Sequence, residues 1–330
     1  MKILVAPNAF KGTISAEKAA RIIQKALAEE KPEANITLCP IADGGDGTCQ
    51  LLGKHMKLEE VKLMALNPIG KPISGSYFLD KVQNTAYMDV STVSGIQCLQ
   101  PEEINAHMTS TFGTGEMVAH AFGMGAEHIV LGLGGSATVD MGSGILRALG
   151  YLFLDTKGRE LPMFSPGLFS RTAYIQAPVK PLPLRFTCLC DVKNMFFGEK
   201  GAIPVFGPQK GLKAGELEQY ARDALHFFEL LKKKSPFNLE DRPAFGAAGG
   251  IALGLSAFFP VELEEGAKFF FEKVAMDQKV RQADWIITGE GKYDSQSAGG
   301  KGSYELLQLA QSHGKKTALV SSGREGMDSG

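Results

Sequence analysis

Five glycine clusters carry most of the chemistry open to this sequence: Ala42-Asp43-Gly44-Gly45-Asp46-Gly47-Thr48, Thr111-Phe112-Gly113-Thr114-Gly115, Gly132-Leu133-Gly134-Gly135-Ser136-Ala137-Thr138, Gly246-Ala247-Ala248-Gly249-Gly250 and Thr288-Gly289-Glu290-Gly291. Each falls where an apolar run gives way to a helical pattern. At a helix N-terminus the free N–H groups and the positive end of the dipole attract anions, and glycine lets the backbone approach them closely. One such cluster is more often a plain tight turn. Five in a chain with 39 glycines among 330 residues, against an average near 7%, point to a polyphosphate ligand. None is a Walker A loop, and none is a G-x-G-x-x-G fingerprint with a downstream ribose acid.

Acids sit in or beside these clusters: Asp43, Asp46, Asp140, Asp191 after the apolar run 186–190, Glu290 and Asp294. Carboxylates next to phosphate-binding backbone make sense where a divalent cation bridges them, since Mg²⁺ takes one or two carboxylates plus phosphate oxygens and water. Phosphoryl transfer also needs a carboxylate to accept the proton of the attacking hydroxyl. Asp43, Asp46 and Asp140 fit helix-capping or Asx-turn roles equally well. Asp191 stands apart, because an acid at the carboxyl end of a buried strand occupies the ligand position of an open α/β sheet. Lys11, Lys210 and either Lys292 or Lys301 lie among glycines and suit the neutralisation of a phosphate or a substrate carboxylate. For Lys292 a solvated surface position is the plainer reading.

The rest of the composition removes other classes of function. Lys plus Arg number 35 and Asp plus Glu 36, for a net charge of -1 with no basic block, so nucleic acid and anionic membranes are poor partners. No window reaches the ~18 apolar residues of a membrane helix, and the apolar start at residues 3–6 is too short for a secretory signal. The five cysteines form no C-x-x-C pair and the six histidines no H-x-x-x-H pair, which suggests structural thiols in a reducing cytoplasm and no zinc site.

The chain is long enough for two domains with a cleft between them. Strands at residues 3–6 and 36–41 alternate with helices after Ser15, a candidate N-cap, and at 48–55, giving a βαβα opening. Residues 61–66, 73–79 and 85–90 predict hairpins and entry into a second domain. Helical spacing returns at 116–122 and 143–149 around a strand at 128–133. The longest predicted helix puts Leu217, Tyr220, Ala221, Ala224, Leu225, Phe228 and Leu231 on one face and ends in Lys232–Lys234, favourably for its dipole. Strands at 285–288 and 317–321 flank a helix at 304–311 and resemble the opening units, so the chain is expected to return to its first domain. Alternating strands and helices of this kind predict an α/β protein with parallel sheet.

Taken in order, Phe10-Lys11-Gly12, residues 42–48, Gly134-Gly135-Ser136-Ala137-Thr138, Cys190-Asp191-Val192, Val205-Phe206-Gly207-Pro208-Gln209-Lys210-Gly211, residues 246–250 and Thr288-Gly289-Glu290-Gly291 with Asp294 and Gln296 resemble the bacterial glycerate kinases that make 2-phosphoglycerate. The resemblance implies ATP-dependent, Mg²⁺-assisted phosphorylation of D-glycerate at its 2-hydroxyl, in the cytoplasm, and leaves a homodimer open. It also implies a flavodoxin-like parallel-sheet domain formed by both chain ends, residues 1–68 plus 284–330, with a larger α/β domain, residues 69–283, inserted and the active site in the cleft. On this reading Gly134, Gly135, Ser136, Gly249, Gly250, Gly289 and Gly291, with the helix N-termini that follow them, cradle the ATP phosphates. Mg²⁺ is held by Asp191 or by Glu290 with Asp294, and Lys11 or Lys210 pairs with the substrate carboxylate. Asp191 is the expected proton acceptor and Asp43 the second choice. The sequence departs from the family pattern at Val139, Met141, Met195 and Gly302-Ser303, and residues 317–330 look like a strand and loop without the family's last strand–helix units. A kinase for another hydroxy acid or sugar acid, and an impaired metabolite-binding homologue, are the rival readings.

Overall fold

The computed structural model describes residues 1–10, 12–291 and 302–321. The opening unit follows the sequence expectation. Strand β1 (Lys2–Val5) leads to helix α1 (Ala16–Glu30), whose N-cap Ser15 accepts a hydrogen bond from the Lys18 amide at 3.3 Å, then to β2 (Asn35–Leu38) and α2 (Thr48–His55). A meander of β3 (Glu59–Leu66), β4 (Pro72–Asp80) and β5 (Thr85–Asp89) comes next, followed by α3 (Ser91–Ser94), α4 (Phe112–Gly123), β6 (His128–Gly132) and α5 (Ser143–Ala148). The chain continues through β7 (Leu152–Leu154), α6 (Leu168–Arg171), β8 (Tyr174–Gln176), β9 (Arg185–Cys190), α7 (Ala202–Phe206) and α8 (Leu217–Lys234). It closes with α9 (Ile251–Leu255), β10 (Val261–Glu265), α10 (Gly266–Lys273), α11 (Met276–Gln282), β11 (Trp285–Glu290), α12 (Gly302–Ser312) and β12 (Lys316–Ser321).

Two sheets organise these elements. In the smaller, all-parallel one the order is β2-β1-β11-β12, which in chain order is the 2-1-3-4 arrangement of flavodoxin-like folds. The larger runs β3-β4-β5-β6-β9-β10, with β5, β6, β9 and β10 parallel and β3–β4 an antiparallel hairpin. Because its parallel strands succeed one another in one direction, right-handed crossovers carry the connecting helices to a single face. There α4, α5, α8 and α9 bury Met117, Ile145, Phe227 and Leu253 against Met88, Leu131 and Cys188.

The opposite face of the larger sheet is covered by α2 and α10, so that Phe78, Tyr87, Val130 and Leu189 pack on Leu51, Leu52 and Phe270. The same apolar cluster takes in Leu4, Ala6 and Ile286 of the smaller sheet, so one layer of helices serves both sheets. Alternation along β1 then sends Ile3 and Val5 outward to Ala20 of α1. A Cβ on Gly53 would stand 2.1 Å from the Phe78 ring, so its absence lets α2 lie flat on the sheet.

Two details differ from the sequence expectation. In α8 the buried face runs Tyr220, Ala224, Phe227, Phe228 and Leu231, while Leu225 is 49% exposed, because the strip at spacings of four and three is centred on Ala224 and leaves Leu225 at its edge. β3 pairs with β4 along its whole length, from Glu59↔Leu79 to Leu66↔Pro72, and so sits in the larger sheet. The two-domain division remains a proposal, and a boundary ahead of Glu59 fits sheet membership better than one at 68. Cys188 and Cys190 share one face of β9, as their spacing suggests, and all five cysteines are free thiols. Among the described residues no helix is long and apolar enough to cross a membrane.

The 42–47 loop and the start of α10 meet at a backbone-to-backbone contact. A Cβ on Gly266, the first residue of α10, would lie 2.2 Å from Gly44 Cα, and one on Gly44 would lie 3.1 Å from the Cys190 amide nitrogen. Gly266→Ala should therefore lower unfolding free energy by about 3 kcal/mol, since backbone on all sides cannot step aside. A urea midpoint equal to that of the parent would refute the constraint.

Candidate active site

Three strands of the larger sheet end along one edge: β5 at Asp89, β6 at Gly132 and β9 at Cys190. The loops after β6 and β9 meet the 42–47 loop that enters α2. Together with residues before α8 and before α9 they enclose a cleft of roughly 980 Å³ lined by Gly44, Gly45, Asp46, Gly134, Gly135, Ser136, Asp191, Gln209, Lys210, Ala247 and Ala248. Two of the glycine clusters thus meet at one point. A Cβ on Gly134 would sit 2.4 Å from the Gly45 carbonyl carbon, and one on Gly135, at φ +66°, would sit 2.0 Å from Asp46 Oδ1. Only glycine permits this approach. The 134–137 loop is also fixed from the α3 side, by the Ile96 amide donating to the Gly135 carbonyl at 2.8 Å and the Ala137 amide to Ser94 at 2.9 Å.

Lys210 closes the back of that loop. It is 4% exposed, and its Nζ donates to Ser136 Oγ at 2.7 Å and to the Thr138 carbonyl at 2.9 Å. Burial drives its pKa down to about 7, against a weaker opposing pull from Asp140. Asp140 is the Asx-turn acid that its sequence position allows. It accepts from the Thr111 amide (2.9 Å) and hydroxyl (2.8 Å) and from the amides of Gly142 (3.1 Å) and Gly144 (3.3 Å), ordering the start of α5, while burial raises its pKa.

Asp191 is placed as expected, half-buried in the cleft directly after β9. Asp43 is 3% exposed and lies outside the cleft lining, where it accepts from Asn8 Nδ2 at 2.7 Å and the Gly45 amide at 3.3 Å. Asp46, three residues on, is the acid of this loop that reaches the cleft. The Asn8 amide in turn donates to the Gly289 carbonyl at 2.7 Å, so Asn8 ties the end of β11 to the 42–47 loop.

Other expected residues stand further back. Gly249 and Gly250 take left-handed φ of +68° and +87° behind Ala247 and Ala248, and a Cβ on Gly249 would strike the Thr138 carbonyl at 2.0 Å. Gly289 and the buried Glu290 end β11 in the smaller sheet, with Gly291 following, and none of the three is among the described residues lining the cleft. Lys11, Lys292, Asp294, Gln296 and Lys301 lie outside the described residues. The 111–115 cluster serves helix packing instead: a Cβ on Gly113 would meet the Leu66 carbonyl at 1.8 Å and one on Gly115 the Ile145 Cα at 2.7 Å. The expected helix N-termini after Gly134 and Gly249 are also displaced or short, since α5 starts at Ser143 and α9 spans five residues. Loop backbone, not a helix end, faces the cleft there.

No cluster of three His, Cys, Asp or Glu side chains suited to a metal occurs among the described residues. Asp46 and Asp191 nevertheless line one cleft, and Mg²⁺ needs only one or two carboxylates when phosphate oxygens and water complete its shell. That donor set fits the ion, whereas Asp191 and Glu290 end strands of different sheets.

Comparison with known proteins gives the family. A model of the glycerate kinase family matches residues 3–329. The chain belongs to that family. It is 35% identical to the glycerate kinase of Bacillus subtilis (strain 168) over 95% of its own length and 82% of the relative's. It is 31% identical to the glycerate 2-kinase of Escherichia coli (strain K12), over 96% and 83%. A crystal structure assigned as glycerate kinase 2 from Salmonella typhimurium LT2 superposes with a TM-score of 0.84 at 30% identity, covering 99% of this chain and 89% of the other.

The acid that sequence reasoning overlooked is Asp89. It ends buried β5 as Asp191 follows β9, and its two oxygens accept from the Cys49 and Gln50 amides at 3.0 Å each, so it already occupies the N-terminus of α2. A Cβ on Gly132 would lie 2.2 Å from Asp89 Oδ1. The signal was present in the sequence, as an acid closing a strand-like apolar run. Burial raises the Asp89 carboxyl to about 6, although both amide bonds pull it down. A folded pKa above the unfolded value gives stability that is present below pH ~4 and is lost as pH rises through ~6. The stability of the parent relative to Asp89→Asn should therefore fall between pH 4 and 7, and a difference in urea midpoint that stays constant over that range would contradict the buried ionisation.

Proposed function

We propose that this enzyme transfers the γ-phosphoryl group of ATP to the 2-hydroxyl of D-glycerate, giving 2-phosphoglycerate and ADP. The observation that carries the reading is the meeting of two glycine loops, Asp46, Asp191 and Lys210 in one cleft at the carboxyl edge of a parallel sheet. The names of the relatives, glycerate kinase and glycerate 2-kinase, supply the acceptor and the hydroxyl. Free thiols at all five cysteines suit a cytoplasmic setting.

In this proposal the backbone N–H groups of Gly134, Gly135 and Ser136 hold phosphate oxygens, and Gly44 and Gly45, whose own amides donate to Thr48 Oγ1 and Asp43, form the opposite wall. Gly249 and Gly250 act from behind, by pressing Ala247 and Ala248 into the wall. Lys210 puts a positive charge under the loop and orients Ser136, and it shares with Lys11 the pairing with the substrate carboxylate. Asp191 accepts the proton of the 2-hydroxyl as the phosphoryl group arrives, whereas Asp43, enclosed behind the cleft and bonded to Asn8 and the Gly45 amide, serves to fix the 42–47 loop. Asp46 and Asp191, which line the same cleft, would hold Mg²⁺. The ion, when bound, neutralises phosphate charge.

Phosphorus NMR of the product from ATP and D-glycerate tests the assignment. A 2-phosphoglycerate resonance is expected, and a 3-phosphoglycerate resonance or no product would reject it. Asp191→Ala should reduce turnover by roughly 10²–10⁴-fold, the usual yield of a positioned base, without loss of fold. Lys210 supplies an independent check. An anion in the cleft favours its protonated form and raises its pKa, so ATP binding at pH 8 should take up protons, seen as a buffer-dependent calorimetric enthalpy. Lys210→Met should abolish that uptake, and its persistence would remove Lys210 from the anion site.

A further inference from the structure

A second cavity of about 780 Å³ adjoins the glycine cleft along the same strand edge, in front of β5, and Asp46 lines both. Its character is different. Gln50, Ser76, Thr92 and Gln97 supply neutral amides and hydroxyls, Asp89 lies at its inner end, and among the described residues no lysine or arginine lines it. The partition between the two cavities is firm, because the segment that carries Thr92 and Gln97 is held to the glycine loop by the Ile96 amide bond to the Gly135 carbonyl and a bridge between Gly95 and Ser136.

A cavity without cations does not suit a phosphate or a carboxylate, whereas paired acceptors, amides and hydroxyls suit neutral hydroxyl groups. Asp89, which accepts the Cys49 and Gln50 amides, lines this cavity as an acceptor beside the amides and hydroxyls. Spacing sets the length of the ligand. β5 and β9 are separated by β6, so the strand ends behind the far sides of the two cavities stand about 10 Å apart, or two strand spacings. Three-carbon glycerate cannot bridge them, but a polyphosphate joined to a ribose can.

We propose that this second cavity receives the neutral, hydroxyl-bearing nucleoside end of the nucleotide whose phosphates lie in the glycine cleft, an assignment that rests on the kinase reading above. Gln97 and Ser76 are then specificity determinants for the nucleoside.

Calorimetric titration of the full chain with ATP and with inorganic tripolyphosphate tests this without turnover. The parent protein should bind ATP at least about tenfold more tightly than tripolyphosphate. Gln97→Ala, at an exposed position, and Ser76→Gln, which fills the cavity from β4, should each shrink that ratio about fivefold, the worth of one lost hydrogen bond, and leave tripolyphosphate affinity unchanged. An unaltered ratio in both variants, equal loss for both ligands, or weakened D-glycerate binding instead would overturn the assignment. So would a parent protein that binds the two ligands equally, with the kinase reading intact. A parent protein that binds no ATP would overturn both. Thermal unfolding midpoints of the variants separate loss of fold from loss of contact.

Discussion

The structure depends on a contact that only backbone can make. Gly44 and Gly45 lie against Gly134, Gly266 and the start of the Cys190–Asp191 turn at separations that leave no room for a Cβ on Gly134 or Gly266. The 42–47 loop descends from the smaller sheet and the 133–142 loop from the larger, so their approach joins the carboxyl edges of two sheets. Methyl groups at these positions would hold the loops apart and open the cleft. Here the conformational freedom of glycine matters less than its size, except at Gly135, where a left-handed φ and a 2.0 Å approach to Asp46 coincide.

Buried charge then secures what glycine brings close. Asp43, Asp89, Asp140 and Lys210 are almost fully enclosed, and each directs its hydrogen bonds at a loop or a helix start. Asp43 binds Asn8 and the Gly45 amide, Asp89 the first turn of α2, Asp140 the start of α5, and Lys210 the Ser136–Thr138 segment. A buried charge is costly unless its partners are fixed, so these groups specify loop geometry more than they add stability. Raised carboxyl pKa values at Asp89 and Asp140 and a lowered one at Lys210 record that strain. Asp46 and Asp191 differ in facing the cleft, as a group that meets a ligand must.

The layered architecture explains why the chemistry gathers on one edge. The helices of the middle layer pack against both sheets and place α2 with its N-terminus at Asp89. The parallel strands of the larger sheet end along one edge, where the loops after β6 and β9 face the crevice and the residues after β5 face the adjoining cavity. The monotonic strand order leaves no switch point in the larger sheet, and the crevice arises from the encounter between the sheets.

Much of this was legible in the sequence, because periodicity and turn chemistry are local. The helix start at Ser15, the strands read at 128–133 and 186–190, the Asp191 position and the ordered motifs of the family all follow from neighbouring residues. What local pattern leaves open is partnership. Nothing in the 111–115 cluster distinguishes a glycine that meets a phosphate from one that meets the Leu66 carbonyl, since both require a missing side chain. Asp43 and Asp46 are three residues apart in the same turn, and only the approach of Asn8 from β1 turns the first inward and leaves the second in the cleft. Asp89 reads as one more strand residue until the first turn of α2, some 40 positions earlier, is seen to rest on it. Element types and the family thus come from short-range chemistry, whereas the choice between packing and binding for each glycine and acid depends on contacts between segments distant in the chain, which the tertiary structure alone decides.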